Sequence, residues 1–134
     1  MSILFVATAL LECGAGLLLL GSPALATWLM LGVRTPSPEA IFLGRIGGAG
    51  LLAVGVACWF ARDDRGSRAQ QGLLRAMLVY NVGACAALVL AGSASPAPGV
   101  ALWLGVGLHV VMTIWCARIL RVSVARGTRG SSAG

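Results

Sequence analysis

The stretch that decides the fold is Ile3–Leu20, ILFVATALLECGAGLLLL. It is apolar apart from Thr8, Glu12 and Cys13, and close to the roughly 20 residues an α-helix needs to cross a ~30 Å hydrocarbon core. Three more such stretches follow, at about 40–61, 72–91 and 100–120, carrying the strongly polar residues Arg45, Asn81 and His109 in turn. An ionisable side chain at membrane depth is costly, normally faces the interior of a bundle and marks a candidate functional site. The pattern predicts an all-α membrane protein, a four-helix transmembrane bundle. Glu12, Asn81, His109 and Arg45 are its candidate ligand- or proton-binding residues.

Composition points the same way. The 134 residues are 58% hydrophobic and 10% charged, with mean hydropathy +0.91, whereas a soluble domain carries about 25% charged residues. The length suits one transmembrane domain, residues 1–121, followed by a tail, 122–134, whose small polar end predicts disorder. The net charge of +6 comes from ten arginines and no lysine against Glu12, Glu39, Asp63 and Asp64. Arg62, Arg65, Arg68 and Arg75 flank the central loop, Arg118, Arg121, Arg126 and Arg129 flank the tail, and Arg34 is in a loop on the other side. Basic residues at the ends of apolar spans follow the positive-inside rule, which places both termini in the cytoplasm. The expected partner is the lipid bilayer, not nucleic acid.

Between the first two spans, Ser22-Pro23 reads as a helix start. The segment Ala24–Gly32 is too short to cross, and predicts an interfacial helix with Trp28 at headgroup level. Ser37-Pro38-Glu39 then supplies a cap, a pre-set φ and an acid at the positive end of the helix dipole. Leu17–Leu20 before Ala24-Leu25-Ala26 resembles a signal-peptide core and cleavage site. No basic residue precedes it and Glu12 interrupts it, so retention as a span is the reading.

Glycine is frequent within the spans. Gly44 and Gly48, extended by Gly47, Gly50 and Gly55, make a thin face, as do Gly14 and Gly16, and Gly83 with Ala87 and Ala91. Such faces let helices approach closely, either within one chain or in a homodimer. Cys13, Cys58, Cys85 and Cys116 fall one to each span without a CxxC, so they read as small packing residues. Cys58 and Cys116 are expected near each other at the cytoplasmic ends of their helices.

The polar residues admit several chemistries. At 1.5 Å per residue, Glu12, Asn81 and His109 lie near mid-depth, and Arg45 closer to the outer face. Small or polar neighbours one turn away (Thr8 and Gly16, Cys85, Gly105 and Thr113, and Ala49 for Arg45) suggest inward faces. The cluster could simply fix helix register, or it could handle a ligand or a proton through Glu12. His109, the single histidine, lies one turn from Gly105, an arrangement that can ligate haem or a chlorophyll magnesium. A catalytic zinc needs three protein ligands, and Glu12 and His109 supply two. With no nucleophile–base pair visible, no enzymatic activity is expected and the cofactor is unknown.

Leu11-Glu12, Gly16, Leu17–Leu20 before Pro23, Leu31-Gly32, Gly44-Arg45, Leu51-Leu52-Ala53, Gly55, Ala57-Cys58-Trp59, Tyr80-Asn81, Leu102-Trp103 and His109 resemble an uncharacterised group of small bacterial four-span integral membrane proteins, across about residues 9–118. Leu104 stands where the group usually has proline. The resemblance implies the same fold, the same four polar residues and a multi-pass protein of the bacterial cytoplasmic (inner) membrane. It brings no activity. In mechanism only, Glu12 is similar to the lone first-span glutamate of small multidrug-resistance transporters, which lack the Arg45, Asn81 and His109 set.

The expected function is a small integral membrane protein that binds a lipophilic small molecule or serves as an accessory subunit of a larger membrane complex. The alternative is a proton-coupled transporter with Glu12 as the exchanged carboxylate.

Overall fold

The structure, a computed structural model, describes the backbone of residues 2–64 and 66–131, with side chains as far as residue 123. Among the described residues five helices follow in order: α1 (Ser2–Gly21), α2 (Pro23–Leu31), α3 (Pro38–Ala61), α4 (Arg68–Ala94) and α5 (Val100–Ser131). No strand occurs among the described residues. Helices α1, α3, α4 and the Val100–Ser123 part of α5 are each long and apolar enough to cross a membrane. Their outward faces are apolar too: Ile3, Phe42, Val79, Leu90 and Leu104 are all more than 60% exposed. Helices that are apolar all round need an apolar surround.

Local chemistry sets the helix boundaries. The Ser37 hydroxyl accepts from the Ala40 N–H at 3.3 Å, with Pro38 in the first turn and Glu39 beside it. The Ser22 side chain makes no such cap, although Pro23 opens α2 as expected. Helix α4 begins at Arg68, earlier than the expected 72, because the Ser67 hydroxyl caps the Gln70 N–H at 3.0 Å. Gln70 is buried and closes the central loop, donating to the Ala61 carbonyl at 2.7 Å and accepting from the Gly66 N–H at 3.0 Å.

Helix α5 continues to Ser131, beyond the expected end at 120. Of the tail expected to be disordered, 122–134, the backbone of 122–131 continues as helix, and residues 132–134 lie outside the described residues, as do Arg65 and the side chains of Arg126 and Arg129.

The spans pack as two pairs, α1 with α3 and α4 with α5. The first pair is held by close backbone approach. A Cβ on Gly16 would stand 2.7 Å from the Gly48 carbonyl oxygen, and one on Gly55 would stand 3.0 Å from the Cys13 backbone nitrogen and 2.6 Å from its sulfur. Gly16, Gly48 and Gly55 therefore serve packing within the chain. Gly14, Gly47, Gly50 and Gly83 have nothing within 4 Å of such a Cβ and face outward.

The two pairs join through one core at the N-terminal end. Leu4, Phe5 and Ala9 of α1 meet Cys58 of α3, Leu74 and Met77 of α4, and Met112 and Cys116 of α5. Cys58 and Cys116 enter this core as free thiols, and Cys58 Sγ donates to Met77 Sδ at 3.6 Å. At the opposite end, α2 is tied to the loop before α5. The Gly99 N–H donates to the Met30 carbonyl at 3.0 Å, and α2 stops at Gly32, whose φ of 73° suits glycine alone. An arginine covers a tryptophan at each end: Arg62 over Trp59, 4.1 Å from the ring centroid, and Arg34 over Trp28 at 5.1 Å.

Candidate functional site

The packed core ends one turn beyond Ala9, and there the polar residues stand. Glu12 on α1 is 7% exposed and Asn81 on α4 is 2% exposed. Two hydrogen bonds organise the group. The Tyr80 hydroxyl donates to one Glu12 oxygen at 3.0 Å, which links α4 to α1. Asn81 Oδ1 lies 2.8 Å from His109 Nδ1, which links α4 to α5. The Tyr80 and His109 rings meet edge to face, 5.7 Å between centroids and 80° between planes.

The direction of each proton follows from the partners. Asn81 Nδ2 donates to the Met77 carbonyl at 2.7 Å. A carbonyl only accepts, so Asn81 presents its own oxygen to His109. His109 Nδ1 must then carry the proton, and in the neutral ring Nε2 is left as a bare acceptor. On α5, the Thr113 hydroxyl returns to the His109 carbonyl at 2.7 Å and stays out of the ring's network.

Above this group a cavity of about 430 Å³ separates the two helix pairs. Its volume lies within the range of about 300–1,000 Å³ for small-molecule sites. Glu12, Tyr80 and His109 line it, and the rest of the wall is alanine, leucine and Met30 from α2. Leu11, Ala87 and Leu108 on its rim are exposed, so the cavity opens sideways between the pairs. The second Glu12 oxygen and His109 Nε2 have no partner among the described residues. Neither is sealed, because the Thr8 hydroxyl is the one fully buried, unpartnered side-chain polar atom found among the described residues.

Three of the four residues expected to cluster are therefore brought together, through a fourth that was not expected. Arg45 is exposed on α3, with no ion pair to Glu12 and no part in the cavity wall. Helix phase explains this. At 100° per residue, Leu51, which lines the cavity, lies roughly 60° to one side of Gly48, and Arg45 lies roughly 60° to the other. Tyr80, not a basic residue, is the hydrogen-bond partner of Glu12. The signal for it was a tyrosine in mid-span, since a buried tyrosine hydroxyl normally finds a hydrogen-bond partner.

No protein-family model, curated protein or solved structure matches this chain. The chemistry of the site rests on its own geometry.

Proposed function

We propose that this chain is a small multi-pass protein of the bacterial cytoplasmic membrane that holds a lipophilic molecule between its two helix pairs, alone or as an accessory subunit of a larger complex. The observation that carries this reading is the cavity itself, apolar in its walls, polar at Glu12, Tyr80 and His109, and open toward the surrounding lipid. Such a site takes an apolar body from the bilayer and orients one polar end. The arginine distribution favours placing the N-terminal core and the tail on the cytoplasmic side, with α2 on the other. Arg45, exposed on the outer half of α3, then reaches anionic headgroups instead of the cluster.

Native mass spectrometry of the gently solubilised full chain tests the reading. A reproducible lipophilic adduct that is lost when Ala84 and Ala87 are both replaced by leucine supports it. A chain that carries no adduct, even after incubation with membrane extract, contradicts it.

A second reading has its own observation: Glu12 is the one acid on the cavity wall, and one of its oxygens is unpartnered among the described residues. That is the placement a proton-exchanging carboxylate needs. Glu12→Gln would abolish proton-coupled movement of a substrate across vesicles, whereas simple binding would survive the change.

A further inference from the structure

The acceptors and donors at the base of the cavity do not balance. Tyr80 has a single hydroxyl proton, and it is committed to Glu12. In the neutral ring His109 has a single N–H, and it is committed to Asn81, which is itself held by the Met77 carbonyl. What is left for an occupant is the second Glu12 oxygen, the Tyr80 oxygen lone pairs and His109 Nε2. All three are acceptors when Glu12 is ionised. Among the described residues no arginine lines the cavity, and Arg45 stands on the other flank of α3. With Glu12 ionised, the occupant brings the donors, and a positive charge on it offsets the carboxylate.

Resting on the reading above, we infer that the cavity takes a lipophilic primary amine, its ammonium seated among Glu12, Tyr80 and His109 and its hydrocarbon body along Ala84, Ala87 and Leu88. An ammonium has three N–H donors and no acceptor, which matches three acceptors with no free donor. A carboxylate or phosphate head would bring more acceptors and a repelling charge. A quaternary ammonium brings the charge without an N–H, so it leaves all three acceptors unmet.

The test uses the full chain in nanodiscs of zwitterionic phospholipid, with three probes of equal chain length: dodecylamine, dodecanol and dodecyltrimethylammonium. Binding is read by native mass spectrometry and by the ¹⁵N resonances of the single histidine. Dodecylamine is expected to bind about tenfold more tightly than dodecyltrimethylammonium, with dodecanol between them. It is also expected to shift the His109 Nε2 signal, and the preference should fall away in Glu12→Gln. Equal binding of the three probes would overturn the head-group assignment and leave the lipophilic cavity standing. Binding of none would overturn both. Tyr80→Phe, which keeps the ring, serves as a second variant should Glu12→Gln fail to fold, and it should narrow the preference in the same direction.

Discussion

The two halves of this bundle are built from the same four spans and do opposite things. Toward the N-terminus, Leu4, Phe5, Leu74, Met77 and Cys116 are sealed to within 1% of full burial, and four helices share one core. Beyond Glu12 the same helices line a cavity of about 430 Å³ whose walls are mostly alanine and leucine. Side-chain size accounts for the difference. Phenylalanine, leucine and methionine fill the space between the pairs below the polar group, whereas Ala15, Ala84 and Ala87 leave it unfilled above. The polar residues stand at the boundary, so their hydrogen bonds both cap the core and form the base of the cavity.

That contrast can be broken in graded steps, each read as unfolding free energy in mixed micelles. The largest loss is expected from Gly55→Leu, because its side chain would meet the Cys13 sulfur and backbone of α1. Helices so close cannot part locally, and a cost of at least about 3 kcal/mol is expected. Gly47→Leu, with open space around it, should be close to neutral. Phe5→Ala comes next. In lipid the transfer part of the usual penalty is small, but the void remains, for about 2 kcal/mol. Leu88→Ala, in the wall of the open half, should cost well under half of that.

Asn81→Leu sharpens the comparison at its boundary. It removes the partner of His109 Nδ1 and should cost about 1–2 kcal/mol and free the imidazole to change tautomer. Of the two boundary changes, Tyr80→Phe has the smaller effect, at about 0.6 kcal/mol, the typical size of one interhelical hydrogen bond in a membrane. Its consequence for an occupant of the cavity should exceed its consequence for stability.

Much of this arrangement could be read in advance, for reasons visible in particular residues. The four long helices were legible because each is long and apolar enough to cross a bilayer. The start of α3 was legible because Ser37, Pro38 and Glu39 each act within one turn. The start of α4 was not, because Ser67 and Gln70 lie in a charged segment that reads as loop until the Gln70 bonds to Ala61 and Gly66 are seen. Of the polar set, Glu12, Asn81 and His109 were found from mid-span polarity. Arg45 looked equivalent because Ala49 is small, but a small neighbour does not tell which flank of a helix faces inward. Tyr80 is less conspicuous in the sequence than the more polar Asn81 beside it. The glycines divide in the same way: Gly48 and Gly47 are adjacent in sequence, and only the phase of α3 against α1 decides which of them packs.

The most direct measurement is the tautomer of His109. The chain contains one histidine, so ¹⁵N-histidine labelling of the full chain in nanodiscs gives a single pair of ring-nitrogen resonances. A protonated Nδ1 and a bare Nε2 are expected, with that preference lost in Asn81→Leu. A bare Nδ1 with the proton on Nε2 would contradict the hydrogen-bond chain from Met77 through Asn81, and with it the acceptor base of the cavity.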